Sequence, residues 1–305
     1  MIYVRRKRNS KENITTESSK TLSFLYNTFL GRCLLKLLTK RFVSNIIGFY
    51  MNSRISRFKI KKFVKKNDIN TFEYEYKNYK SYNDFFTRKV IPYKRPINAR
   101  KDIFISPCDS KLLVYKINED LTLKIKDSYY SIDTLVEKKI LDEYIGGYAL
   151  VFRLSTDNYH RYCYIDNGKK GDNHYIKGKF HTVQPISLKK YNFYKTNSRE
   201  WTILHTKNFG KVIDIDIGAL GVGRIKNNHK SYEFKKGEEK GYFEFGGSTI
   251  VLLVKKGAVN IDKDIMENSQ ENIETIVKYG EGIGSSRFIN RMINKLKTIG
   301  EKDEL

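Results

Sequence analysis

An α+β fold is predicted for this chain of 305 residues, with N-terminal amphipathic helices followed by a mostly antiparallel β core. Three observations predict it. Between about Thr21 and Val64, Leu, Ile and Phe recur at three- and four-residue steps, with Lys and Arg in the intervening positions. From Lys101 onward the texture changes to short β-rich runs separated by Gly, Asn and Asp. Hydrophobic residues make up 40% of the chain, enough for a core at this length, so disorder is not the default.

Residues 1–20 read as a basic tail and 21–98 as a helical region. In the latter, Leu30, Leu34, Leu37 and Leu38, then Phe42, Ile46 and Phe49, define two or three helices with a basic face. Such helices can cap the core, lie in the interface of an anionic bilayer, or do both. The stretch "TLSFLYNTFLGRCLLKLL" is interrupted by Asn27, Arg32 and Lys36 and makes a poor membrane span. The boundary falls near "KRPIN" (94–98), and 99–290 reads as the β-rich core. There the expected strands are Leu112 to Ile117, Ala149 to Leu154, the strictly alternating "VIDIDIG" (212–218) and Ile250 to Val254, with one helix near Ile132 to Tyr144. Taken alone, "EFGGST" (244–249) reads as a turn opening that last strand. Residues 291–305 read as a C-terminal tail.

The 58 basic residues outnumber 34 acidic ones, leaving +24. Met1 to Lys66 holds 17 Lys and Arg against only Glu12 and Glu17. The basic end therefore points to an anionic partner, phospholipid or nucleic acid. No recognisable DNA- or RNA-binding module is present, which argues against nucleic acid. Cys33, Cys108 and Cys163 form an odd, widely spaced set with no CxxC pair, favouring a reducing compartment and no structural zinc. The basic start lacks an apolar h-region, so no secretory leader is expected.

Three stretches can carry chemistry: "SPCDS" (106–110), "RLSTDNYHRYCY" (153–164) and "GGST" (246–249). They offer an acid, a base and a hydroxyl, the parts of an activated serine. With "NYKSYNDFFTRKVIPYKRPI" (78–97), "ISPCDSKLL" (105–113), "RLSTDNYHRY" (153–162), "FGKVIDIDIGALGVGRI" (209–225) and "KGEEKGYFEFGGSTIVLL" (236–253), the chain resembles the phosphatidylserine decarboxylase proenzymes, most closely the bacterial branch with a Gly-Gly-Ser-Thr cleavage motif. The resemblance runs from roughly residue 20 to 285.

It implies a β-sandwich or barrel-like core, self-cleavage between Gly247 and Ser248, and conversion of Ser248 to a pyruvoyl group. That group would form a Schiff base with phosphatidylserine and yield phosphatidylethanolamine and CO2, with no metal. The same resemblance makes Asp109 the charge-relay acid and gives His160 a part in decarboxylation. It also implies a long and a short chain that stay associated, a homodimer, and a peripheral place on the cytoplasmic face of the cell membrane. At one position the chain departs from the pattern: many relatives carry a second histidine, the relay base, where this chain has Cys163. Three readings stay open: His160 does both jobs, another histidine such as His181 substitutes, or processing is slow or lost. The last leaves an anionic-lipid-binding relative as the alternative function.

Overall fold

The computed structural model describes residues 2–5, 13–15, 20–125, 128–132, 135–136, 138–179, 181, 196–221 and 224–286. The expected C-terminal tail, 291–305, lies outside them. The apolar periodicity of the N-terminal region resolves into α1 (Lys20–Asn27), α2 (Phe29–Leu38), α3 (Arg41–Asn52) and α4 (Phe58–Lys66), with a short α5 at Tyr82–Phe86. Thr28 stops α1 and starts α2, its hydroxyl accepting from the Gly31 amide at 3.0 Å. Gly31 allows the two helices to touch, since a Cβ there would stand 2.1 Å from the Phe24 carbonyl oxygen. Ser56 links the helices to α5: its hydroxyl donates to Met51 O at 2.9 Å and accepts from the Tyr82 amide at 2.8 Å.

Among the described residues, the β core is built on one 11-stranded sheet. Its path runs Tyr232–Phe234, Gly168–Lys170, Arg199–Thr206, Gly210–Gly221, Gly246–Val254, Tyr148–Leu154, Ser110–Lys116, Glu274–Val277, Ile2–Arg5 and Asn13–Thr15, with His174–Ile176 branching beside Arg199–Thr206. Every pairing among the described residues of this sheet is antiparallel except Ile2–Arg5 against Glu274–Val277. Within the stretch read as a tail, these first residues thus form strands, because the edge at Glu274–Val277 offers unpaired backbone groups. Among the described residues the ends of the path do not meet, so the sheet is open rather than a closed barrel.

Two three-stranded sheets cover one face of the large sheet. Ile225–Asn227, Glu239–Phe243 and Arg161–Cys163 make the first; Val259–Ile261, Gly282–Ser286 and Ile103–Ile105 make the second. Phe104, Tyr162, Phe243 and Ile283 from these layers pack on Leu112, Leu150, Phe152, Ile250 and Leu252 of the large sheet. On the opposite face, Val151, Ile213, Ile215, Val251 and Leu253 pack against Ile117, Leu121, Leu135, Leu141 and Tyr144. The run "IVLLV" is apolar without alternation because its strand is buried on both faces. Each such side chain contributes about 1.5–3 kcal/mol.

Candidate active site

Gly246–Val254 is a single strand, so "GGST" is not a turn before it but its first residues. Two neighbours hold it in place: Ser248 pairs with Leu154 on one side and Gly218 on the other. Between Ser248 and Gly246 the register slips. Ser248 faces Gly218 while Gly246 faces Gly221, so the neighbouring strand has one extra residue opposite Gly247. Gly246 itself has φ +139°, a conformation that side chains rarely adopt. The ladder is therefore interrupted at the peptide unit preceding Ser248.

Ser248 Oγ is fully buried and has no hydrogen-bond partner, and the same holds for Thr249 Oγ1. Leaving a buried hydroxyl unsatisfied costs about 1–3 kcal/mol, which marks both positions for explanation.

His160 carries a further orphan. Its Nδ1 lies 2.9 Å from the Asn158 carbonyl oxygen, which can only accept, so Nδ1 carries the proton. Nε2 then presents a lone pair, buried and without partner. Burial, reinforced by the nearby Arg88 charge, lowers the imidazole from 6.5 to about 3, so it is neutral. The Phe86 ring, 4.0 Å from the His160 ring and 5.4 Å from that of Phe245, joins the histidine to the segment that leads into Ser248.

Asp109 is buried in a different grip. Arg95 Nε donates to Oδ1 at 2.9 Å and Arg95 Nη2 to Oδ2 at 2.7 Å. The Tyr279 amide donates to Oδ1 at 2.8 Å, and Lys278 Nζ stands 3.5 Å from Oδ2. Burial alone would push this carboxyl up; the Arg95 hydrogen bonds and the two cationic charges outweigh it and hold the group below its usual value. No hydrogen bond joins Asp109 to His160. The influence of Asp109 on the imidazole is electrostatic, favouring its charged form.

Cys163 is also buried, its amide donating to Pro107 O at 2.9 Å. Burial pushes the thiol up to about 12, so it stays protonated at neutral pH. His181 reaches the neighbourhood through Asn197, which donates to both the His181 and Gly218 carbonyls at 2.9 and 2.8 Å. Its Nδ1 lies 3.5 Å from the Tyr26 hydroxyl of α1, and burial followed by the Lys179 charge lowers it to about 4.

Two groups of residues escape sequence reasoning. Lys240 is buried between Asp214 and Asp216 at 3.2 and 2.6 Å, on the sheet face that also carries Ser248. The alternation in "VIDIDIG" announces the strand, yet both its acids point into the protein. Burial, and after the attraction of Lys240 the repulsion of Asp216, leave Asp214 above its usual value. The other group is α5, from "YNDFFTR", which supplies Tyr82, Asn83 and Phe86 around Phe245. Neither has a signal in spacing alone, since 162 residues separate Asn83 from Phe245. Among the described residues, no three His, Cys, Asp or Glu side chains cluster as a metal centre requires.

Comparison with known proteins identifies the family. The phosphatidylserine decarboxylase family model matches residues 82–285. A phosphatidylserine decarboxylase proenzyme 2 from Clostridium acetobutylicum is 51% identical over 267 residues, spanning 87% of this chain and 91% of the relative. A proenzyme of the same activity from Clostridium botulinum is 40% identical over 94% of this chain and its own full length. One from Ruminiclostridium cellulolyticum is 41% identical over 87% of this chain and 91% of its own. The matched region takes in α5, Asp109, His160 and the Ser248 strand alike, and the chain belongs to the phosphatidylserine decarboxylase family.

Proposed function

We propose that the chain is made as a proenzyme that cuts itself between Gly247 and Ser248, and then decarboxylates phosphatidylserine to phosphatidylethanolamine at an anionic membrane surface. The observation that carries this reading is the buried, unpartnered Ser248 Oγ at the interrupted ladder. Its hydroxyl attacks the Gly247 carbonyl carbon, where no side chain blocks approach, while His160 Nε2 takes the hydroxyl proton. The peptide becomes an ester with a free Ser248 amine. Loss of the Ser248 α-proton expels Gly247 as a carboxylate, and water replaces the resulting imine nitrogen, releasing ammonia. A short chain beginning at position 248 results.

The residues fit the pyruvoyl group so formed, because Ser248 Oγ makes no hydrogen bond whose loss would oppose the conversion. When present, that group supplies an electron sink for the bond that breaks as CO2 leaves. His160, neutral and aligned by Asn158, is the chain's own candidate for returning a proton to the substrate carbon. Asp109, fixed as a carboxylate, stabilises the imidazolium through space. Residues 248–253, paired on both sides, keep the short chain with the long one.

The helices support the surface part of the proposal. Phe29, Leu30, Phe42, Phe49 and Phe58 are 72–86% exposed, among Arg32, Lys36, Lys59 and Lys62. No helix among the described residues is long and apolar enough to cross a membrane. The arrangement suits a peripheral enzyme, which we assign to the cytoplasmic face.

Intact-mass spectrometry of the protein beside Ser248→Ala tests the chemistry. Two fragments split at 247/248, the shorter beginning in a pyruvoyl group and both absent from the variant, are expected. A single uncut chain in both, even with anionic lipid, refutes self-processing and favours a lipid-binding relative. Sedimentation with anionic vesicles tests the surface: binding weakens as salt rises, and binding indifferent to both salt and lipid charge would sink that part.

A further inference from the structure

The chain enters the candidate bond through Phe245, which lies between the strands Glu239–Phe243 and Gly246–Val254. Its amide is outside both ladders and is satisfied instead by a side chain: Phe245 N–H donates to Asn83 Oδ1 at 2.8 Å. Asn83 is buried in α5, and its own Nδ2 donates to Asn52 Oδ1 at 3.0 Å. Asn52 closes α3, anchored by donation to Gly48 O at 2.9 Å. The Phe245 ring is gripped by the same short helix, edge-on to Tyr82 at 5.1 Å and to Phe86 at 5.4 Å. Immediately afterwards comes Gly246 at φ +139°, and then the register slip. Both backbone and ring of the last residue before the glycine pair are thus fixed by α5, and α5 is tied to α3.

We propose that Asn83 is a positioning residue for self-cleavage: its side-chain amide holds the Phe245 N–H and so sets the direction in which the Gly247 carbonyl meets Ser248 Oγ. The two ends of the amide do separate work. The oxygen orients the chain before the bond, and the nitrogen secures that orientation to α3, the helix that carries the exposed Phe42, Ile46 and Phe49. Two adjacent glycines have wide backbone freedom, so without such a hold the carbonyl would sample many directions and the reactive geometry would be rare. Asn83 touches neither reacting atom and acts through the Phe245 backbone. The inference rests on the self-processing reading above.

The test is the rate of chain splitting, followed by intact mass after synthesis, in folded protein well below its melting temperature. Asn83→Ala should split about tenfold or more slowly than wild type, the scale of a lost orienting hydrogen bond. Asn83→Asp keeps an acceptor for the Phe245 amide and should recover most of the rate. Asn52→Ala, at an exposed position that leaves the fold intact, should slow splitting less than Asn83→Ala. Ile265→Ala, a buried residue of the helix Lys263–Gln270, supplies a destabilised control that should split at the wild-type rate. If wild type splits and Asn83→Ala keeps pace with it, the positioning role is wrong while self-processing stands. The role is also wrong if Asn83→Asp is as slow as Asn83→Ala, or if the Ile265 control is slowed equally. A wild-type chain that never splits overturns both.

Discussion

Replacing Arg95 by Met should be among the most damaging single changes in the β core, and the structure says by how much. Asp109 is 2% exposed at its side chain and Arg95 7%. The guanidinium makes contacts of 2.9, 3.1 and 2.7 Å to the carboxylate and a further one of 2.9 Å to Glu73. Without it, Asp109 keeps the Tyr279 amide and a Lys278 ammonium 3.5 Å away that is half exposed. Breaking a buried pair by removing one partner costs about 3–5 kcal/mol, mostly from the charge left behind.

The pH dependence follows from the sign of the shift. Asp109 sits below its usual 3.8 in the fold, so its stabilising contribution is present above that value and is lost as pH falls through the folded value. In Arg95→Met the carboxyl moves up, so the deficit is greatest at neutral pH and shrinks once Asp109 is protonated. Urea unfolding of both proteins in the Ser248→Ala background, which keeps one uncut chain, gives the difference directly. We expect about 3–5 kcal/mol at neutral pH, falling markedly near pH ~4, and substantial recovery in Arg95→Met/Asp109→Asn. A neutral-pH loss below about 1 kcal/mol, or one that ignores pH, would refute the reasoning.

Other outcomes follow from the same geometry. His160 and His181 are held neutral, lowered to about 3 and about 4, so the unfolded chain binds their protons first. Stability should therefore fall as pH drops below about 6.5, by up to ~1.4 kcal/mol per unit for each histidine, and His160→Gln should flatten the unfolding profile. Cys163→Ala should split at close to the wild-type rate, since the thiol is protonated; complete loss of splitting in a folded variant would make sulfur the base. Lys240→Met strands two buried carboxylates and should lower stability by about 3–5 kcal/mol at neutral pH, with partial rescue by Asp216→Asn in a thermal melt.

Strands were the most legible part of the fold. The runs at 112–117, 149–154, 212–218 and 250–254 fall within or beside observed strands, because uninterrupted or alternating apolar residues report burial directly. Where the last strand begins was not legible. Two glycines argue locally for a turn, and only neighbours on both sides, Leu154 and Gly218, make Ser248 a ladder residue. Among the described residues of the helix expected near 132–144, Lys138–Leu141 is helical and Asp142–Tyr144 forms a short 3-10 turn. In the site, the residue types were readable but their partners were not. Arg95, drawn from the boundary segment, pairs with Asp109, and Lys240 closes over two aspartates whose alternation suggests a wet face. Alternation records which residues share a side, not which side meets water.

The place of Gly246–Val254 in the middle of the large sheet gives a cut at its start an unusual thermodynamic character. Seven consecutive residues, Ser248–Val254, are laddered to Tyr148–Leu154, and six of them to Ile213–Gly218. A chain severed before Ser248 would therefore remain one cooperative body while it stays folded, its pieces held by the interior rather than by a surface interface. Unfolding would separate them, and reassembly would become a bimolecular event whose yield depends on dilution. An uncut chain would refold as one molecule; a cut one would persist through the height of its unfolding barrier, so that cleavage would exchange reversible stability for kinetic persistence.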